Sequence, residues 1–379
     1  MSQRTSFEKS TEMIRLVGAL MRAQKHLSTS IVSLVGDIQE QAERYVKSDI
    51  ERPLCLLGIK EKGVPTWVKD RLTPENGYIH ITVDRMAPGG RAIDTGLINP
   101  LTGKIMTGST SGGAVNLLKG ITDIAIGTDG GGSVLGPALA TQLFAVMGKG
   151  LGLGTGEHHK ATDGKWFEPA IGILGRNLEE ILKTVEDLMD MPGVFLKERQ
   201  NKDLSGIKIG YPGPGIALPD GKDMADALRP VARNLEARGA ETFEIKAPDG
   251  LWDRQQSLSW LRSIWSEKNS CENSCDVIVT REGPVDLFGI GDSVAGLLGE
   301  TGELLQKSSG KYLLRSANMA GCTALAIPGR ELASGYIVIC PQGVESAKKA
   351  VRVAGCLVEF DERPALFEEY FGKKLFDLP

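Results

Sequence analysis

A chain of 379 residues, 41% hydrophobic and 24% charged, has the length for one large or two ordinary domains and the composition of a globular protein. Its formal charge of −4 leaves no electrostatic footprint for nucleic acid or an anionic membrane surface, and no apolar run approaches membrane-spanning length. The 47 glycines gather at turns and within 108–156 without a period, which excludes collagen-like and low-complexity chains.

Residues 7–48 read as two helices. Met13, Ile14, Val17, Leu20 and Met21 share one face of the first, and Ile31, Leu34, Val35 and Ile38 continue the pattern in the second. The run Leu54–Leu57, closed by Gly58, reads as a buried strand. Tyr78–Val83 alternates as a half-exposed strand would. Ser111–Lys119 predicts a short helix, and Ile121–Ile126 a strand that feeds a glycine turn. Asn177 and Glu180 form a capping-box pattern that opens a helix ended by Pro192 and Gly193. A strand–helix–strand unit follows: Ile207–Tyr211, a helix marked by Met224, Leu228, Val231 and Leu235, and Thr242–Ile245. Pro230 inside that helix predicts a kink, and Gly239 suits its C-terminal cap. Val277–Thr280 and Tyr336–Cys340 read as buried strands, and Val344, Ala347, Val351 and Ala354 as one face of a last helix. This alternation predicts a single α/β domain over 1–379. Its mixed, mostly buried sheet is covered by helices on both faces, and 1–48 packs on it as a helical segment.

The chemistry is concentrated in two stretches, TGSTSGGAV (107–115) and IGTDGGGSVLGPA (126–138). In the second, Gly130, Gly131 and Gly132 lead into Ser133. Three residues without Cβ let backbone N–H groups approach a ligand, and a hydroxyl beside such donors suits acyl transfer. Asp129 fits a carboxylate that ties down amides of this turn. A glycine turn alone would more often be a phosphate cradle or a plain turn. GKGLGLG (148–154) lacks the dinucleotide spacing, and no phosphate-loop motif of the G-x-x-x-x-G-K-[S/T] type occurs.

These residues resemble the amidase signature family. GSTSGG (108–113) and GTDGGGSVLGPA (127–138) match its two loops, with Asn99-Pro100 upstream. FAVMGKG (144–150), AIGILGRNLEEILKTVEDLM (170–189) and ANMAGCTALAIPG (317–329) extend the likeness. The resemblance implies amide C–N hydrolysis through an acyl-enzyme. Ser133 would be its nucleophile, and the amides of Gly130, Gly131 and Gly132 would form its oxyanion hole. An ungapped match puts Thr110 at the family's bridging serine, after a non-proline cis bond; Ser109 takes that place if the loop is shifted. Ser111 matches the loop's second serine and is expected to support the lysine. That lysine, the general base, falls on Lys60 in CLLGIKEKGVPT (55–66), with Lys69 in WVKD as competitor. As base, Lys60 must drop by about 3 pH units from a reference near 10.4, or ~4 kcal/mol, which burial without a carboxylate can supply.

The chain departs from the family where Thr110 stands for serine and Leu135 for arginine. It is also short between the lysine and the first loop, and between about 246 and 276. Two other readings therefore stand beside the hydrolase: a binding or assembly subunit on the same fold, and an ammonia-delivering amidotransferase subunit. The expected partner is a small-molecule or peptide amide, with no nucleic acid, membrane, cofactor or metal, and a homodimer is left open. His158 and His159 read as solvated loop residues. Trp252, Trp260 and Trp265 read as core or pocket wall. Six dispersed cysteines, with no zinc spacing after Cys271 and Cys275, and a start (MSQRTSFEKS) without a signal region point to a soluble cytoplasmic protein.

Overall fold

A computed structural model describes residues 6–161, 164–266 and 274–372. Eleven strands form its main sheet. They are β1 (Ile31–Leu34), β2 (Cys55–Lys60), β3 (Tyr78–Asp84), β6 (Ile124–Asp129), β7 (Phe144–Met147), β10 (Ala170–Gly175), β11 (Lys208–Pro212), β12 (Glu241–Ile245), β13 (Val277–Glu282), β14 (Thr323–Pro328) and β15 (Gly335–Cys340). Two hairpins stand outside it, β4 (Ile93–Ile98) with β5 (Ile105–Thr107), and β8 (His159–Lys160) with β9 (Trp166–Phe167). The sheet order is β1-β3-β2-β6-β10-β7-β14-β15-β13-β11-β12. Pairing is mixed. β3, β2 and β6 run parallel, β10 lies antiparallel between β6 and β7, and β11 is parallel to both β12 and β13. Apolar runs buried over their whole length, such as Leu56–Ile59 and Ile124–Ile126, explain why the centre of the sheet needs helices on both faces.

Several local signals act as expected. Asn177 caps the helix Leu178–Met189 by accepting from Glu180 N at 2.8 Å. Gly239, beyond the end of the helix Met224–Glu236, has a φ of 96°, and the helix runs on through Pro230 where a kink was expected. Two expectations are corrected. Ile31–Leu34 is a strand on the sheet edge, paired antiparallel with β3, and only the following Ile38–Lys47 is helical. Two β-branched residues in a four-residue run satisfy the edge of a sheet better than a helix turn. β3 is buried rather than half-exposed, because its polar residues have partners inside: His80 Nε2 lies 2.9 Å from Thr82 O, and Thr82 Oγ1 donates to Asp84 Oδ1 at 2.8 Å.

The N-terminal helix Ser6–Gln24 buries Leu16, Ala19 and Ala23 in a second apolar cluster with Leu54, Leu56, Ile79 and Ile81. Arg15 fastens it, donating to Asp123 Oδ2 at 2.7 Å and to the Leu54 carbonyl. Asp123 also receives the buried Arg176 at 2.9 Å and the Leu56 N–H at 2.9 Å. The described cysteines, Cys55, Cys275, Cys322, Cys340 and Cys356, are free thiols, and burial pushes Cys275 and Cys322 up to about 12. Cys271 lies outside the described residues. Among those residues no helix is long and apolar enough to cross a membrane, and no cluster of three His, Cys, Asp or Glu could hold a metal ion.

Candidate active site

β2 and β6 run parallel side by side, β2 ending at Lys60 and β6 running two residues further to Asp129. In open α/β sheets the crevice beyond such carboxyl ends is where ligands gather. A cavity of about 510 Å³ opens here, lined among others by Lys60, Ser109, Thr128, Gly130, Gly131 and Ser133.

Lys60 is buried at the end of its apolar strand, and its ammonium donates to Ser109 Oγ at 2.8 Å, Thr128 Oγ1 at 3.1 Å and Thr128 O at 3.4 Å. All three acceptors are neutral oxygens, and among the described residues no carboxylate pairs with the amine. Burial lowers Lys60 to about 8, against smaller raising effects from Asp129 and Glu61. Glu61 turns away and accepts the Met86 N–H at 3.0 Å. Lys69 is exposed on the helix Thr66–Arg71, away from the cavity lining.

The loop register differs from the ungapped match. The non-proline cis bond joins Gly108 to Ser109, so the hydroxyl on the lysine is that of Ser109 and not of Thr110. Thr110 points back into the fold. Its N–H donates to Ser133 O at 3.1 Å, its Oγ1 is buried without a hydrogen-bond partner, and a Cβ added at Gly127 would lie 2.4 Å from that Oγ1. The missing side chain at Gly127 makes the room that Thr110 fills, and this fixes the loop one residue from the position read by matching. Ser111 is corrected as well. It donates to Asp94 Oδ2 at 2.7 Å, away from the lysine, at the start of the helix Ser111–Leu118. Asp94 in turn holds Arg85 at 2.9 and 3.0 Å.

In the glycine turn, Asp129 is buried and its carboxylate accepts from Gly132 N at 2.6 Å, Val134 N at 2.7 Å and Leu135 N at 3.1 Å. Burial pushes this carboxyl up, and the three amides oppose the shift. Asp129 therefore shapes the turn and does not line the cavity. Gly132, expected as an oxyanion donor, has its N–H committed to Asp129. Gly130 and Gly131 line the cavity, and no acceptor for their N–H groups occurs among the described residues. Gly132 has a φ of 93° and faces Leu314, so a side chain there would meet both backbone strain and a clash. Ser133 is half-buried at the cavity wall, and Leu135 is fully buried in the following helix Leu135–Ala140.

Sequence reasoning missed three wall residues. Thr128 touches the lysine, and its place immediately before Asp129 in the turn was the available signal. Arg315 and Arg254 come from distant segments. An arginine within the apolar text YLLRSAN was the only hint of the first. His159 lines the cavity from the exposed β8 hairpin, whereas His158 does not.

No family model matches the chain. It is similar to the glutamyl-tRNA(Gln) amidotransferase A-subunit of Staphylococcus haemolyticus, at 24% identity over 229 residues, which cover 55% of this chain and 46% of that protein. The corresponding Staphylococcus aureus protein is 25% identical over 221 residues, 52% of this chain and 44% of its own length. The chain thus spans about half the length of the curated relatives it matches. Among solved structures, the peptide amidase from Stenotrophomonas maltophilia superposes with a TM-score of 0.59 at 13% identity, covering 93% of this chain and 94% of that one. The 6-aminohexanoate cyclic dimer hydrolase in complex with its substrate gives 0.61 at 14% identity, covering 94% and 95%. The fold is that of the amidase signature enzymes. Sequence relatives and structural neighbours together point to the amidase signature family, at low identity.

Proposed function

We propose that the chain is an amidohydrolase that cleaves carboxamide C–N bonds through an acyl-enzyme on Ser133. The observation that carries this reading is the buried Lys60 amine, 2.8 Å from Ser109 Oγ and unpaired with any carboxylate among the described residues, at the wall of the cavity that holds Ser133. In its neutral form Lys60 takes the proton of the Ser109 hydroxyl as Ser109 takes that of Ser133. Ser133 Oγ bonds to the amide carbon, and the carbonyl oxygen becomes an anion faced by the N–H groups of Gly130 and Gly131. The tetrahedral intermediate collapses as Lys60 returns the proton through Ser109 to the leaving nitrogen. The C–N bond breaks and the amine departs. Water then repeats the sequence on the ester and releases the acid.

Of the two departures that motivate a non-catalytic subunit, Thr110 loses weight because the hydroxyl on Lys60 is that of Ser109, while Leu135 in place of arginine still stands. The amidotransferase reading is favoured by the curated relatives and shares the acyl-enzyme step. It differs in passing ammonia to a partner. Free thiols among the described residues fit a reducing, cytoplasmic setting.

A fluorophosphonate that mimics the tetrahedral species should label Ser133 covalently, read as one adduct by peptide mass spectrometry. Ser133→Ala should abolish it. Undiminished labelling of Ser133→Ala, or a folded wild-type chain that resists labelling, contradicts the proposal. Ammonia release from glutamine without a partner separates free hydrolysis from partner-dependent transfer.

A further inference from the structure

Two arginines line the cavity. Arg254 opens the helix Arg254–Ile264, and Arg315 sits in the segment Leu313–Arg315 that packs on the glycine turn. A Cβ added at Gly131 would lie 3.6 Å from Arg254 Nη1 and 3.7 Å from the backbone O of Arg315, so the Arg254 guanidinium and the Arg315 main chain stand within a methyl group's reach of the turn that ends in Ser133.

Arg315 is only 5% exposed, and the hydrogen bond its side chain makes within the described residues runs from Nη1 to Trp252 O at 3.1 Å. The carboxylates that act on it electrostatically are engaged elsewhere. Asp253 accepts from Gln255 N and Gln256 N. Asp286 holds Lys311 at 2.7 Å and Thr107 at 2.6 Å. Glu282 accepts from Tyr312 N, Leu314 N and Thr280 Oγ1. Arg91, which also lines the cavity, is neutralised by Asp292. Burial and the neighbouring Arg254 lower Arg315 to about 10. A buried guanidinium costs several kcal/mol when its charge goes unmatched, and its planar fork fits a carboxylate through two parallel bonds.

Resting on the amidase reading above, we infer that Arg315, with Arg254 beside it, forms a carboxylate-binding subsite, and that the substrate is a short amide whose acyl part carries a second, anionic carboxylate. The closeness of the Arg254 guanidinium to Gly131 sets the anion a few bonds from the reacting carbonyl. Succinamate has that shape: its hydrolysis consumes water and yields succinate and ammonia. Butyramide is the neutral counterpart.

Succinate titrated calorimetrically into the whole chain reads the subsite without any chemistry. Succinate should bind more tightly than butyrate, and Arg315→Met should weaken it by roughly 10- to 100-fold, the scale of hydrogen bonds to a charged group. Arg315→Lys should recover part of the loss. In turnover, wild type should favour succinamate over butyramide in kcat/KM by a similar factor, and Arg315→Met should collapse that ratio through KM. Equal binding of succinate and butyrate by wild type, or a preference that Arg315→Met leaves intact, overturns the subsite. Should Arg315→Met fail to fold, the wild-type pair and Arg315→Lys still decide. Absence of a Ser133 adduct with fluorophosphonate instead overturns the amidase reading, and leaves the binding result to stand by itself.

Discussion

Ser109 and Thr110 carry similar hydroxyls one residue apart, and the chemistry assigned to them differs completely. Ser109 Oγ lies 2.8 Å from Lys60, whereas Thr110 Oγ1 is buried without a partner. Replacing an unpartnered hydroxyl with a methyl of the same shape removes a desolvation cost and no hydrogen bond. Thr110→Val should therefore keep the labelling rate of Ser133 and change stability by less than about 1 kcal/mol by denaturant titration. Ser109→Ala should slow labelling by roughly 100-fold, the scale of a lost proton relay. The opposite ranking would return the relay to Thr110. The sequence made the residue types legible and left their register open. Loop text alone does not say which hydroxyl Gly127 leaves room for.

The turn and the loop are two elements held in register by small groups. Asp129 gathers three amides of the turn, and the bare backbone at Gly127 admits Thr110 from the loop. Gly127→Ala should cost about 1–3 kcal/mol by overpacking and slow labelling, because the displaced Thr110 carries Ser109 with it. Adding Thr110→Ala should restore part of both, with a coupling of about 0.5–3 kcal/mol in a double-mutant cycle. Strict additivity would show that the two elements do not touch as described. Glycine spacing and strand runs made β2, β6 and the turn readable in advance, since each is a local pattern. Residues 31–34 were misread as helix because edge pairing with β3 is decided about 50 residues away. Arg254 and Arg315 escaped for the same reason: only the fold brings them to the turn.

Across the whole molecule, two apolar clusters meet at Asp123, where Arg15 of the N-terminal helix and Arg176 converge on one carboxylate. Arg176 is buried and also donates to Leu117 O and Thr122 O, at 2.7 and 2.9 Å. Arg176→Met should lower stability by about 1.5–3 kcal/mol, read as a drop in Tm, because Asp123 keeps Arg15 but loses a buried charged hydrogen bond, and the Leu117 and Thr122 carbonyls lose their donor. An unchanged Tm would show that the helix alone holds this corner. The same architecture buries Lys60 at the end of the parallel strands, and on that burial the proposed chemistry depends. Burial lowers the folded-state value of Lys60 to about 8, so the neutral amine needed as base grows as pH rises and is lost as pH falls through that value. The most direct test is the pH dependence of fluorophosphonate labelling at Ser133, in wild type and in Lys60→Met. The wild-type rate should climb with pH and reach half its plateau near pH 8, and Lys60→Met should be slow with that limb gone. A wild-type rate flat between about pH 6 and 10, or a limb that survives in Lys60→Met, would contradict Lys60 as the base.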